Sequence, residues 1–196
     1  MNRMKATIAC LACASSLAAA APADAQQSDK GWYMGVGFGT TTADIDNSPL
    51  TALGATVTGG EDSDNGFKIF GGYQFNKHLG VEVGYVDFGS FSVTGVRGTP
   101  FTASFDVSAF TVAAVGTLPL NDSFDLFGKA GLYAWEAKAS VTGGGLTAGN
   151  TTGSDVFLGI GARFNINRNF GLQLEVEQYL GEDTITVTSI GLRYKF

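Results

Sequence analysis

Three observations predict an all-β, eight-stranded antiparallel up-and-down transmembrane β-barrel from this sequence. The first is the stretch Thr184 to Phe196. Thr188, Ile190, Leu192, Tyr194 and Phe196 fall on one face, and Val187, Ser189, Gly191, Arg193 and Lys195 on the other. That period of two belongs to a β-strand with two different surroundings. The second is the polarity of those faces. The charges share a face with Gly and Ser, while the aromatics share one with Leu and Ile, as where the outside meets lipid and the interior is polar. The third is repetition, because seven earlier segments carry the same pattern. A water-soluble barrel needs apolar residues inside. Here the strongly apolar face lies opposite Arg, Lys and Glu, which argues against it.

The first strand is expected over about Trp32–Thr41, with Trp32, Met34, Val36 and Phe38 alternating with Tyr33, Gly35, Gly37 and Gly39. A polar, Gly/Thr/Asp-rich loop follows from Thr42 to Ser63. The second strand, about Asn65–Phe75, sets Phe67, Ile69, Gly71, Tyr73 and Phe75 against Lys68, Phe70, Gly72 and Gln74. Asn76-Lys77-His78 is a tight turn. The third strand, Leu79–Gly89, puts Leu79, Val81, Val83 and Tyr85 outward and Glu82 and Gly84 inward. Ser90–Ala103 reads as a second loop. The fourth strand, about Ser104–Leu118, has a weaker parity, with Phe110, Val112, Ala114 and Leu118 outward.

Pro119–Asp122 turns the chain into the fifth strand, about Ser123–Lys138. Phe124, Leu126, Ala130, Leu132 and Ala134 face one way there, and Phe127, Lys129, Tyr133 and Trp135 the other. A Gly-rich third loop spans Gly143–Gly153. The sixth strand, Ser154–Phe164, directs Val156, Leu158, Ile160 and Phe164 outward, with Phe157, Gly159, Gly161 and Arg163 inward. After a turn at Asn165–Asn169, the seventh strand, Phe170–Leu180, directs Phe170, Leu172, Leu174 and Val176 outward, with Gln173, Glu175 and Glu177 inward. Gly181–Asp183 leads into the eighth. Long and short connections alternate through the first seven strands, as in barrels with tight periplasmic turns and longer external loops. Tyr73, Phe75, Leu118, Phe124, Phe164, Phe170, Tyr194 and Phe196 collect where outward faces meet the turns, which predicts one interfacial girdle.

The N-terminus reads as a Sec-type signal peptide over residues 1–25. Arg3 and Lys5 precede an apolar run from Ala6 to Ala21, and Ala23 and Ala25 suit a cleavage site after Ala25. Both cysteines, Cys10 and Cys13, fall inside it, so a mature chain over 26–196 has no disulfide, thiol nucleophile or Cys-ligated metal. It carries ten basic against seventeen acidic residues, which argues against nucleic acid. After residue 25 there is no apolar run of helical spanning length, so a membrane crossing would be made by strands. Glycine is 28 of 196 residues and sits largely inside apparent strands. A narrow lumen accounts for that, because large side chains must face small ones.

Residues of about 31–196 resemble the OmpA-type outer-membrane β-barrel family. The resemblance rests on Gly71-Gly72-Tyr73-Gln74-Phe75-Asn76, Leu79-Gly80-Val81-Glu82-Val83-Gly84-Tyr85, Leu174-Glu175-Val176-Glu177 and Gly191-Leu192-Arg193-Tyr194-Lys195-Phe196. It implies a stand-alone barrel over 26–196, without the peptidoglycan-binding domain of full OmpA proteins. It also implies a Gram-negative outer membrane, with lipid and lipopolysaccharide as surroundings. In that family the terminal aromatic is read by the barrel assembly machinery, a role that would fall to Phe196 with Tyr194.

The family also carries acidic and basic side chains across the lumen. Glu82 and Glu175 match its two acidic positions. One of its basic positions falls on Ala113 or Ala114 here, so the pairing differs. By parity the luminal charge network comprises Lys68, Glu82, Lys129, Arg163, Glu175, Glu177 and Arg193, with Glu82 and Arg193 as candidates to meet across the barrel. Buried ions must be paired or wetted. Such a network serves either as a structural plug or as the gate of a narrow pore.

Catalysis finds little support. His78, the one histidine, lies in a tight turn, and no second His or Cys can act as base or ligand. No cofactor or metal is expected. Asp44, Asp46, Glu61, Asp62 and Asp64 make the first loop acidic, for solvation or for divalent cations shared with lipopolysaccharide. The expected function is structural or surface interaction by a monomer: envelope integrity, adhesion, or an extracellular ligand bound through the loops. The rival is a narrow porin-like channel for ions or small solutes.

Overall fold

The computed structural model describes residues 30–43, 56–61, 63–97, 99–143, 149–181 and 184–196. The signal-peptide expectation lies outside these residues, as do Asp44, Asp46 and Asp62 of the first loop. The strands are β1 (Gly31–Ala43), β2 (Thr56–Glu61), β3 (Ser63–Gln74), β4 (Leu79–Arg97), β5 (Thr99–Pro119), β6 (Phe124–Gly143), β7 (Gly149–Asn165), β8 (Phe170–Leu180) and β9 (Ile185–Lys195). All pairings are antiparallel. β4 and β5 close the sheet at one seam, and β1 pairs with both β3 and β9. β2 pairs with Ser92–Val96 of β4 above the stretch where β3 pairs with Gly80–Asp87, so it continues β3 along the same neighbour. The wall is therefore an eight-stranded closed barrel with no helix among the described residues.

Side-chain alternation follows the expected parity. Trp32, Met34, Val36 and Phe38 of β1, Val112 and Phe110 of β5, Ile160 of β7, and Leu174 and Ile190 of β8 and β9 all face outward. Their partners in alternation, among them Tyr33, Lys68, Glu82, Lys129, Arg163 and Glu175, are buried inside. The outward apolar face is stable only against lipid, and the closed ladder satisfies each backbone group without water.

Three tight turns at one end share a device. In Phe75–Leu79, Leu120–Phe124 and Ile166–Phe170, the second residue is Asn76, Asn121 or Asn167. Its side-chain oxygen accepts from the two backbone N–H groups that open the next strand. The short side chain mimics a backbone acceptor, so the chain reverses without orphaned donors. The expected girdle lies at this end: Trp32–Tyr73, Tyr73–Phe75, Phe124–Phe164, Phe170–Tyr194 and Tyr194–Phe196 pack with ring centroids 4.9–5.4 Å apart. A second outward aromatic band, Phe67, Tyr85 and Phe110, crosses β3, β4 and β5. From Phe75 to Phe67 the chain rises roughly 20 Å at strand pitch and barrel tilt, close to the ~25 Å apolar band of such barrels.

All three expected loops are corrected in part. Ser90–Arg97 pairs with Thr99–Asp106 as a hairpin, and β7 begins at Gly149 inside the expected third loop. Part of the first expected loop is β2. β4–β7 are 17 to 21 residues long, whereas β1, β3, β8 and β9 are 11 to 13. One side of the barrel thus stands taller. Its polarity is inverted: Phe91, Val93, Phe101 and Ala103 are buried inward, while Ser90, Thr102, Lys138 and Asn150 are outward and exposed. Water outside and an apolar inside is the reverse of the membrane zone, so the Ser/Thr-rich outer face reads as loop. A bulge between Asp87 and Ser90 also shifts the parity of β4 from even to odd inward positions. Gly89 at the bulge has φ +81°, the left-handed region that L side chains avoid.

Gly89→Ala should therefore destabilise the barrel by about 1–2 kcal/mol. Urea unfolding in lipid vesicles checks this. A neighbouring control, Ser92→Ala, which lies in the same wall with ordinary geometry, should change stability by less than about 0.5 kcal/mol.

Candidate functional site

Inside the turn-side half of the barrel, eight ionisable side chains are buried: Lys68, Lys129, Arg163 and Arg193 against Glu82, Asp125, Glu175 and Glu177. Four positive and four negative charges make the belt neutral, which is the condition for burying ions at tolerable cost. Lys68 pairs with Glu175, and with Glu177 at 2.9 Å. Lys129 lies 2.5 Å from Glu82, 2.6 Å from Glu175 and 3.8 Å from Glu177. Arg163 stands 3.5 Å from Asp125. Arg193 donates to Gln74 at 3.0 Å and stacks 3.9 Å above the Tyr33 ring, whose hydroxyl donates to Glu82 at 3.1 Å.

Lys129 is the hub. It comes from β6, reaches carboxylates on β4 and β8, and lies over the rings of Phe70 and Phe127 at 5.2 and 5.5 Å. Glu82 sits opposite Ala113 in the β4–β5 register, so the adjacent strand offers it no base. The small Ala113 leaves Lys129 to supply the charge from one strand further on. Glycines make room for the other long side chains. Lys68 lies over Gly37, Glu177 over Gly159, Arg163 over Gly171 and Gln173 over Gly191, where an added Cβ would meet them at 3.0–3.4 Å.

The seven residues expected in the luminal network all enter the lumen. The expected meeting of Glu82 with Arg193 is not found. Glu82 goes to Lys129, and only Tyr33 connects it with Arg193. The sequence reading omitted Asp125, Gln74, Gln173, Tyr33 and Tyr179 from the network. Parity placed Gln74, Gln173 and Tyr33 on the inner face, but no spacing rule told which polar groups of different strands would meet. Tyr194 and Phe196 lie outside the lumen, in the turn-side aromatic ridge, and the backbone N–H of Phe196 donates to the carbonyl of Trp32. His78 is in its turn, with Nδ1 3.1 Å from the Thr117 carbonyl.

A second layer lies above the belt and was not expected. Phe88, Tyr179, Phe157 and Tyr133 pack edge-to-face and stacked, with centroids 4.7–5.0 Å apart, and Phe88 and Tyr179 are wholly buried. Val86, Phe91, Ala109 and Val187 pack around them. Tyr179 joins the layers by donating its hydroxyl to Glu177 at 3.2 Å. Among the described residues, no group of three or more His, Cys, Asp or Glu is arranged to hold a metal ion.

A closed barrel with a lipid-facing exterior and a filled, neutral polar interior defines an integral outer-membrane β-barrel protein. The comparisons agree. The outer membrane protein beta-barrel domain matches residues 9–196, and the chain belongs to that family. It is 30% identical to outer membrane protein A of Klebsiella aerogenes over 187 residues, covering 89% of this chain and 51% of that protein. It is 28% identical to the Shigella flexneri protein over 188 residues, with the same coverage. The chain thus spans about half the length of these curated relatives. In fold it is similar to Neisserial surface protein A, with TM-score 0.61, 18% identity, and 85% and 97% of the two chains covered. OprG of Pseudomonas aeruginosa gives TM-score 0.56, 15% identity and coverage of 88% and 99%. Ail of Yersinia pestis, solved with the heparin analogue sucrose octasulfate, gives 0.52, 18%, and 85% and 99%. The protein is located in the cell outer membrane.

Lys129→Met should be the most damaging single change in the belt. It leaves Glu82 without a cation and deprives Glu175 of one of its two lysines, a loss of roughly 3–5 kcal/mol. Glu82→Gln should cost less, about 1–3 kcal/mol, because Lys129 keeps Glu175. Urea unfolding of both variants in lipid vesicles tests the ranking.

Proposed function

We propose that this protein serves the envelope through its wall and its external crown, in a structural or surface-interaction role, and not as a conduit. One observation carries the reading: the lumen holds two successive fillings, a neutral ion-paired belt and an aromatic layer above it. An ion entering from either end would have to separate buried pairs, and those pairs cost several kcal/mol to break. No catalytic role is proposed, since His78 is occupied in a turn and Glu175 and Glu177 are neutralised by lysines.

The crown differs in charge from what a polyanion needs. Ail was solved with a heparin analogue. Here the described external residues include Asp64, Asp87, Asp106 and Glu136 against Lys138. A loop-borne ligand of this chain is therefore a cationic or neutral one. The protein would act as a monomer surrounded by lipid and lipopolysaccharide. It would be exported by a signal peptide cleaved after Ala25 and inserted by the barrel assembly machinery through Phe196 and Tyr194.

Purified barrel in planar bilayers should show no stepwise current. Steady single-channel conductance of the wild type would establish the narrow channel instead. Export makes a separate expectation: N-terminal sequencing of the envelope protein should begin at Gln26, and an intact Met1 there would contradict the proposed route.

A further inference from the structure

The luminal charges balance as a whole but divide into two unequal groups. In one, Lys68 and Lys129 serve three carboxylates, Glu82, Glu175 and Glu177. In the other, nearer the turns, Arg163 and Arg193 have only Asp125 between them. Both arginines reach the level of the turns. Arg193 donates to Gln74, the last residue of β3, and Arg163 stands 3.5 Å from Asp125, the second residue of β6. That pair is long for a charge-assisted bond, and the same Asp125 oxygen accepts from Asn165 at 3.0 Å.

Each guanidinium keeps an unused edge. Among the described residues, Arg163 Nε and Arg193 Nε are buried atoms without a hydrogen-bond partner, and Thr117 Oγ1, near the same end, is a third. The two arginines are only 4% and 6% exposed, and buried donors are normally paired. They flank Gly171. The Arg163 stem crosses this glycine, with Cγ and Cδ 3.3 Å from where a Cβ would stand, and Gly171 is the cross-strand partner of Arg193. Such partners lie about 5 Å apart, so the two cations stand close together and repel each other. The last inward layer before the turns also contains Gly31 and Gly80. At Gly80 the nearest atoms that an added Cβ would meet are backbone. The rim outside carries exposed Lys30, Lys77 and Arg168 against exposed Asp122, a balance that draws anions toward the mouth.

We propose that the turn-side mouth of the lumen binds a small free oxyanion of the phosphate class, held between the Nε edges of Arg163 and Arg193. A guanidinium edge presents parallel N–H groups that match two oxygens of such an anion, which an ammonium does not. The rings of Phe127 and Tyr33, 5.0 and 3.9 Å from the two guanidinium carbons, hold the planes in place. The anion would complete the donors that the arginines leave unpaired and offset the local excess of positive charge.

The test is a nuclear magnetic resonance titration of the barrel, isotope-labelled at arginine nitrogen, in phosphate-free maltoside micelles. Inorganic phosphate is added at constant ionic strength set by chloride. Beyond residue 25 the chain has four arginines, Arg97, Arg163, Arg168 and Arg193, so the Nε–H signals are few. Two of them should move saturably with phosphate and stay in place with chloride alone. Arg163→Lys and Arg193→Lys keep the charge and lose the fork. Each should remove one moving signal and weaken phosphate at least tenfold, whereas Lys77→Gln on the rim should change it less than about twofold. If a lysine variant lacks the heat-resistant folded form, the wild-type titration decides alone. Wild-type signals that do not move, or that move equally with chloride, would show that water or an adventitious ion only fills these edges, and would overturn the proposal. Undiminished phosphate binding by both folded lysine variants would overturn it too. A parallel titration in phosphatidylglycerol nanodiscs separates the sources. An unchanged phosphate response supports a free anion, and signals already shifted and unresponsive there would assign the mouth to a lipid headgroup instead.

Discussion

Closure of the backbone ladder is the constraint on which everything else depends. In hydrocarbon an unpaired N–H or C=O costs several kcal/mol. The chain must therefore return to its own first strand, which it does through β1↔β9 and β4↔β5. Once eight tilted strands close, the lumen is narrow, and only a limited volume of side chain fits inside. The glycines answer that limit. Gly37, Gly159, Gly171 and Gly191 each lie under a long belt side chain, and Gly35 and Gly161 lie against the rings of Phe70 and Phe127. A glycine that weakens an isolated strand here permits the neighbour that fills the barrel.

The belt then follows from what can be buried in so narrow a space. Lys68 and Lys129 share Glu175 and Glu177, with Glu82 completing the set. Removing one ion leaves its neighbours exposed to a poorly solvated interior, so the network acts as one unit and its members do not contribute additively. Aromatic faces assist. Arg193 over Tyr33 and Arg163 over Phe127 place delocalised cations on rings where no further carboxylate is within reach. Tyr179 ties this polar layer to the apolar one above it, so the upper filling is anchored by a hydrogen bond as well as by packing.

At the outer aromatic band the requirements change. Below it, lipid outside forces apolar residues outward. Above it, water outside reverses the rule, and Phe91, Val93, Phe101 and Ala103 turn inward. The bulge at Gly89 lies near this boundary and lets one strand obey both rules by shifting its parity. Loss of half the ring above the band has a structural consequence, because a sheet no longer closed has edges. The lower wall has none among the described strands, and the upper wall exposes one along β7 and another along β2.

How much of this was legible in the chain depends on whether the information is local. Strand parity is local: Leu79–Tyr85, Phe170–Val176 and Ile190–Phe196 display it within a few residues, and with it came the barrel, the number of strands, the girdle and the inward direction of all seven network residues. Tertiary structure decided whatever required two distant segments to be compared. Glu82 and Arg193 share the lumen, yet shear and tilt carry Glu82 to Lys129 across Ala113, an offset that no count along the chain contains. Ser90–Ala103 read as loop because Ser and Thr face water there. Its apolar inner face emerges only when β4 and β5 pair and bury Phe91 and Phe101 inside the same wall. The aromatic layer of Phe88, Tyr133, Phe157 and Tyr179 draws on four strands and exists only after closure, since each ring alone is one inward residue among many and packing is what makes them a seal.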